Sequence, residues 1–185
     1  LNMDGVKMSK SLGNGLLIKD MVKEIGGNVL RWAFLSAHYR APLNFNDEVV
    51  NNARTELNKI QTSHKQACVK MALLHKEFGV DKNAELWKTF LDAMSDDLNT
   101  PNAFSVVFET NKQLNQALRV REVNPETVSQ LVNTLEGMMY VLGIKITRVV
   151  LDDEDLYQKW NDAKAIKDFA TADIYRQKLI EKGVL

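Results

Sequence analysis

The sequence predicts a mainly α protein: a glycine-rich loop segment, then an antiparallel helical bundle, then a C-terminal helical hairpin. Three observations predict this. Apolar residues recur at alternating spacings of three and four from Val50 to Phe78, the period of one helical face. The only prolines are Pro42, Pro101 and Pro125, each at a boundary where its missing N–H does no harm. Five of the nine glycines (Gly5, Gly13, Gly15, Gly26 and Gly27) fall in the first forty residues, so backbone freedom is concentrated there. A chain of 185 residues with 45% apolar content suits one compact domain or a domain with appendages.

Residues 1–40 form the first region. It holds the loop "KMSKSLGN" at Lys7–Asn14, a short helix "LLIKDMVKEI", and a second helix "NVLRWAFLSAHY" with Val29, Leu30, Ala33, Phe34 and Ala37 turned inward. Residues 41–147 form the bundle. Its first helix is expected to be capped by Asp47 and ended by Gly79, with the stripe Val50, Ala53, Leu57, Ile60, His64, Ala67, Met71, Leu74, Phe78 giving about four heptads. The second helix carries Leu86, Trp87, Phe90, Leu91 and Met94. The third opens at "LNTPNAF", with Asn99 or Thr100 as cap and Pro101 next, and continues through Val106, Val107, Leu114 and Leu118. Asn124 caps the fourth, which buries Val128, Leu131, Val132, Leu135, Met138, Met139 and Leu142 and stops at Gly143. Residues 148–185 begin with the linker "RVVLDDED", whose acids favour the start of a helix. A hairpin over Leu156–Lys182 follows, with Trp160, Ala163, Phe169, Tyr175 and Leu179 as its apolar positions and a bend near Lys167–Phe169.

Composition excludes several classes. No apolar run reaches the roughly 18 residues of a membrane span, and the first residues do not form a signal segment. With Cys68 as the only cysteine, no internal disulfide forms and a cysteine-rich zinc site is excluded; a reducing, cytoplasmic setting is expected. Net charge is zero, which argues against indiscriminate nucleic-acid binding. Residues 1–40 nevertheless carry an excess of +3 and residues 159–185 of +2, leaving −5 between them.

The loop is the densest chemistry in the chain. Lys7 and Lys10, three apart and flanked by glycines, can approach one polyphosphate from the same side. Ser9 and Ser11 can complete the cradle with hydroxyls. No G-x-x-x-x-G-K-[ST] string is present, so this is not a Walker A loop; a solvated basic loop is the alternative. His64, Cys68, Met71 and His75 share a helical stripe. His64 and His75 stand eleven residues apart, roughly 16 Å along a helix, so one ion cannot take both; a bundle face is expected and no metal is assigned to this chain. Asp96 and Asp97 are read as helix caps or pins of the bundle rather than an acid–base pair. His38, Tyr39 and Arg40 read first as structural. Lys164, Lys167, Arg176 and Lys178 either track a nucleic-acid backbone or form a solvated face.

"KMSKS" matches the signature loop of class I aminoacyl-tRNA synthetases. "KMSKSLGN", "FLSAHYRAPLNF", "AMSDDLNTPNAF" and "ADIYRQKLIEKG" stand here in an order and spacing that resembles the cysteinyl-tRNA synthetase family. The resemblance runs from Leu1 to Leu185 and is weakest in 60–90 and 120–150. "NVLR" at Asn28–Arg31 occupies the place of the Asp-Ala-Leu-Arg string that names the family's helical domain; only its last two letters agree.

The resemblance implies an internal piece of a larger enzyme that activates L-cysteine with ATP and Mg2+ and transfers it to tRNA(Cys). The family's nucleotide-binding domain and zinc site would lie upstream, so the piece alone is expected to be inactive. Residues 41–147 would be the tRNA-binding helical domain, and 148–185 a linker and the start of the anticodon-binding region. By the same resemblance Lys10 stabilises the departing pyrophosphate, Lys7 assists, Ser9 and Ser11 touch phosphate, and Gly13 lets the loop close. Arg40 would meet tRNA or the catalytic part, and Lys164, Lys167 and Arg176 would contact tRNA. Two other readings stand beside this one. They are a free-standing helical module that binds tRNA or protein, and the related ligase that joins cysteine to a sugar amine in mycothiol synthesis.

Overall fold

A computed structural model describes residues 17–185 in full and, of the first sixteen, only two strands, β1 (Asn2–Met3) and β2 (Val6–Lys7). These pair antiparallel, with Asn2 opposite Lys7 and Met3 opposite Val6. Eight helices follow: α1 (Ile18–Ile25), α2 (Gly27–Leu35), α3 (Asp47–Leu73), α4 (Ala84–Ser95), α5 (Thr100–Arg119), α6 (Pro125–Val141), α7 (Glu154–Ala165) and α8 (Phe169–Glu181). The mainly α class expected from the sequence is the class observed.

Helices α5 and α6 form a central pair, and α3 and α4 each pack on both; α2 lies along α3. The short turns 96–99 and 120–124 leave no room for a crossover, so α4, α5 and α6 run antiparallel in sequence. One continuous core runs through the bundle and into α2, with Ile60, Phe90, Val107, Leu114, Val132, Leu135 and Met138 fully buried.

Each bundle helix starts where a side chain replaces a missing backbone partner. Asn83, Asn99 and Asn124 cap α4, α5 and α6. For α3 the cap is Asn46, whose Oδ1 accepts from Val49 N at 3.0 Å; Asp47, expected as the cap, is instead the first helical residue. Gly143, in the left-handed region at φ +70, ends α6 as expected.

Three expectations need correction. Helix α3 ends at Leu73 rather than at Gly79, with His75 at φ +50 just beyond. The reason is tertiary. Asn133 on α6 donates to the carbonyls of Gly79 (2.8 Å) and Asp81 (3.0 Å), while Ser129 Oγ accepts the Gly79 N–H (2.8 Å). An unwound 74–83 segment is thereby satisfied without helix bonds. Helix α2 stops at Leu35 rather than running to Tyr39. Its largest buried side chain is Trp32 (0% exposed), absent from the expected inward set. In α4 and α8, Leu91 and Phe169 stand exposed rather than inward.

The C-terminal hairpin α7–α8 bends at Lys167, at φ +61. Asp153 and Asp168 cap its two helices. It has a small core of its own, Leu151, Leu156, Leu179 and Val184, closed by Val69 of α3.

Candidate functional site

The candidate site is the loop and the structure that mounts it. Of its side chains, Lys7 lies at the end of β2, where only the strand is described. Ser9, Lys10, Ser11 and Gly13 lie outside the described residues. The described residues that follow the loop are α1, α2 and the end of the bundle they grip.

Trp32 anchors the mount. Its ring stacks on Phe104 of α5 with centroids 4.3 Å apart, and its indole N–H donates to Glu56 Oε2 of α3 at 2.8 Å. A buried indole thus has both its area and its one donor matched. The two ends of "NVLR" hold the segment after α6. Asn28 Nδ2 donates to the Lys145 carbonyl at 2.7 Å, and Asn28 Oδ1 accepts the Lys145 N–H at 3.0 Å. Only a carboxamide makes both bonds at once. The Arg31 guanidinium lies against Gly143, where a Cβ would come within 2.9 Å of it. Gly143 therefore serves twice, for its backbone angle and for this approach.

A second grip joins two stretches far apart in sequence. His38 Nε2 donates to the Asp97 carbonyl (3.0 Å), Tyr39 Oη to Asp97 Oδ1 (2.6 Å), Arg40 Nη2 to Asp97 Oδ1 (3.1 Å) and Arg40 Nε to Tyr39 Oη (2.9 Å), with Arg40 Nε and Asp97 Oδ2 in an ion pair at 2.8 Å. Tyr39 stacks on His38, and the Arg40 guanidinium sits over the Tyr39 ring. The Tyr39 hydroxyl and the Arg40 guanidinium hold the Asp97 carboxyl below the usual range, and Asp97 in turn pushes the Tyr39 hydroxyl up. Asp97 and Leu98 both have left-handed backbone, at φ +52 and +53, a conformation that neighbouring contacts must enforce. Asp96 and Asp97 do not act as a unit: Asp96 closes α4 through its backbone N–H.

His64 does not gather a metal set. Its Nε2 lies 2.7 Å from Glu136 Oε1, and its Nδ1 lies 3.9 Å from the buried Cys68 Sγ. His75 is exposed, near Glu154. Among the described residues no three His, Cys, Asp or Glu side chains come together to hold an ion. Cys68, the sole thiol, is enclosed in the bundle. Instead, Arg148 forks onto Glu136 (Nε 2.8 Å, Nη2 2.7 Å) and donates to Asn133 (2.7 Å), over the Phe78 ring. Burial pushes the His64 imidazole down, but its contacts with Cys68 and the Glu136 carboxylate outweigh this and raise it to about 9. Burial likewise opposes ionisation of Glu136, and His64 and Arg148 bring it down to about 2. The pair is therefore ionised at neutral pH.

The other cations singled out from the sequence are scattered. Lys164 Nζ lies 3.7 Å over the Trp160 ring, Lys167 forms the hairpin bend, and Arg176 is exposed on α8. Arg40 is committed to Asp97. Sequence reasoning missed a different set. A groove of about 900 Å³ between α1, α2, α3 and the end of α6 is lined by apolar residues, among them Ile18, Val22, Phe34 and Leu57, with Arg31, Arg54, Lys145, Asn28, Asn58 and Gln61 adding polar groups. Part of it was readable, because Arg54, Asn58 and Gln61 share one face of α3 at spacings of four and three.

Comparison with known proteins places this architecture. The profile of the class I (C) tRNA synthetase catalytic domain matches residues 1–55, and that of the DALR domain matches residues 89–147. The cysteine–tRNA ligase of Acinetobacter baumannii (strain AYE) is 36% identical over 205 aligned residues, covering 100% of this chain and 41% of its own. Those of Geobacillus thermodenitrificans and Anoxybacillus flavithermus are each 33% identical, again over 100% of this chain and over 41% and 42% of theirs. The chain spans about two fifths of the length of the curated relatives it matches. No helix among the described residues is long and apolar enough to cross a membrane. With a match to the catalytic domain over residues 1–55, a match to the DALR domain over residues 89–147 and relatives at 33–36% identity along its whole length, the chain is similar to a segment of the cysteine–tRNA ligases.

Proposed function

We propose that the chain works as part of a cysteine–tRNA ligase in the cytoplasm, and that the reaction runs in two steps. A cysteine carboxylate oxygen attacks the α-phosphorus of ATP, which is bound with Mg2+, and the bond to pyrophosphate breaks, giving cysteinyl-adenylate. A hydroxyl of the terminal ribose of tRNA(Cys) then attacks the acyl carbon, and AMP leaves. The observation that carries this reading is the match of the whole chain to cysteine–tRNA ligases.

Within the first step negative charge grows on the leaving pyrophosphate. Lys10 stabilises that charge, Lys7 assists, and Ser9 and Ser11 contact phosphate oxygens. A preorganised donor of this kind is worth about 3–4 kcal/mol in a transition state. Such a role needs a fixed base, and the doubly gripped α2 supports it. Arg40, Lys164, Lys167 and Arg176 act as outlying tRNA contacts. The bundle (41–147) is the tRNA-binding helical domain, and residues 148–185 lead into the anticodon-binding region. Zinc belongs to a part of the enzyme that this chain does not span.

ATP–pyrophosphate exchange tests the reading. A ligase polypeptide carrying this segment should show exchange stimulated by cysteine and not by serine. The 185-residue chain alone should show none above a heat-treated control. Exchange driven equally by other amino acids, or by this chain alone, would sink it.

A further inference from the structure

We propose that the non-helical run after α6 is an interaction surface for a second copy of this chain: residues 144–150 of two copies pair antiparallel as edge strands, each lying in a groove beside α6 of the other. The inference goes beyond the ligase reading and stands independently of it, because main-chain hydrogen bonding and exposed apolar surface carry it.

The run has the character of a strand without a neighbour. Its sequence is "IKITRVV", in which five of seven residues are β-branched, the type that suits a pleated backbone. Side chains alternate along its first five positions. Ile144 and Ile146 pack on the bundle core and Arg148 bonds Glu136 and Asn133 of α6, while Lys145 and Thr147 face solvent. The main-chain N–H and C=O of Lys145 are held by Asn28. Beyond it, the main chain of residues 146–150 makes no hydrogen bond with any described residue. An open edge of this kind is a template for another strand, and charged side chains commonly guard it. Here Arg148 is turned back onto Glu136 and the Phe78 ring, which leaves Thr147 and the two valines unguarded.

Exposed apolar surface gathers at the same place. Among the described residues the three most exposed large apolar side chains are Val80 (88%), Tyr140 (85%) and Val150 (77%). Val80 and Tyr140 line a groove of about 1070 Å³ whose far wall is residues 143–148, and Val150 stands two residues past that wall. A cluster of this kind marks a protein contact. The polar side chains of the groove floor are already matched: Asn133 holds Gly79, Asp81 and Arg148, and Glu136 holds His64 and Arg148. Main chain and apolar surface remain open, and a polypeptide strand supplies the complement to both. A second copy is the occupant because the run is complementary to itself. Lys145 spends its main-chain groups on Asn28, so the even-numbered residues carry the open edge. In antiparallel pairing about Thr147, Ile146 of either copy exchanges main-chain bonds with Arg148 of the other. Thr147 then faces Thr147 and Lys145 faces Val149, so no cation stands opposite another. The two-fold relation closes the assembly at two copies.

Sedimentation equilibrium of the 185-residue chain over a concentration series tests the pairing. The unaltered chain should move from the 21.0 kDa monomer towards twice that mass as concentration rises. Val80→Lys/Val150→Lys alters two exposed side chains and should weaken the dimer roughly tenfold or more, with an unaltered urea midpoint. Cysteine variants read the register separately. Facing Thr147 residues would have Cα atoms about 4.5 Å apart, within the span of a disulfide. Thr147→Cys should therefore give a covalent dimer on mild oxidation with diamide. Lys145→Cys, which faces Val149, should cross-link far more slowly, and the unaltered chain, whose one thiol is buried, should not cross-link. A monomer at every concentration, a dimer indifferent to Val80→Lys/Val150→Lys, or cross-linking as fast at Lys145→Cys as at Thr147→Cys would each overturn the pairing. The first of these would leave the groove to a strand of another polypeptide. None of them touches the ligase reading, which the exchange assay tests.

Discussion

Two appendages flank the bundle, and they are attached in different ways. At one end α2 is built into the bundle core. Trp32 is fully buried against Phe104, Asn28 holds the backbone of Lys145, and the 38–40 stretch is pinned to Asp97. At the other end the α7–α8 hairpin has its own small core and meets α3 through an apolar patch, Val69, Ala72 and Leu73, with Lys65 donating to the Leu185 carbonyl and His75 near Glu154. Its tip exposes Ile166 and Phe169 at 76% and 66%. The difference teaches where precision is needed. On the proposed function, a lysine acting on a leaving group has to be placed to a fraction of an ångström, and the firm hold on the helices after the loop suits that role. A hairpin proposed to contact a long, flexible partner tolerates a looser joint.

The largest effects should come from the anchors of the two appendages, and they should differ in kind. Trp32→Ala removes a buried ring from the continuous core and should cost about 3–5 kcal/mol of global stability, read as a lowered urea midpoint for the whole chain. Leu179→Ala is as deeply buried but sits in the separate core. It should accelerate amide exchange in α7 and α8 while leaving α5 and α6 protected. Equal loss of protection throughout in the Leu179 variant would erase the distinction between the two joints.

Next in size is the His64–Glu136 pair. The imidazole is raised from 6.5 to about 9, so its contribution is complete below pH 6.5 and is lost as pH rises from 6.5 to 9. The carboxyl is lowered from 4.5 to about 2, so its contribution is complete above pH 4.5 and is lost as pH falls towards 2. Stability from the pair should therefore be greatest between about pH 4.5 and 6.5, with a span on the order of 2–3 kcal/mol on either side. His64→Gln should flatten the alkaline limb of a urea-midpoint profile. A variant profile parallel to the unaltered one would contradict the assignment.

Asn28 gives the smallest effect. Asn28→Ala removes both bonds to Lys145 and should cost about 1 kcal/mol. Asn28→Asp keeps one acceptor and gains favourable charge near Arg31 and at the start of α2, so it should cost less. Hydrogen exchange at the Lys145 amide reports directly on the clasp. If exchange there were unaltered in Asn28→Ala, α2 would not be held at this end.

The sequence made some of this legible and hid the rest for identifiable reasons. Caps at Asn99 and Asn124 are readable because capping is local chemistry. Asn46 was overlooked because Asp47, beside it, is an equally good cap by composition. The end of α3 differs from the expectation because the bonds that stabilise 74–83 come from Asn133 and Ser129, 54 and 50 residues from Gly79. Trp32 was missed for the same reason, since its stacking partner is Phe104. The loop chemistry was legible as a string, "KMSKS". The groove was not, because Arg31, Arg54 and Lys145 come from three separate elements and only the fold assembles them. The charge excess of residues 1–40 was a partial hint, supplying Arg31 alone.

The role proposed for Lys10 is to stabilise departing pyrophosphate. Pre-steady-state kinetics of a ligase polypeptide carrying this segment tests it most directly, because adenylate formation and transfer to tRNA are resolved as separate steps. Lys10→Ala should slow adenylate formation by about 10²–10³, the scale for losing one preorganised donor. Transfer from preformed adenylate should be nearly unaltered, since pyrophosphate has already left. Near-normal adenylate formation with strongly slowed transfer would contradict the claim and make the loop a tRNA contact instead.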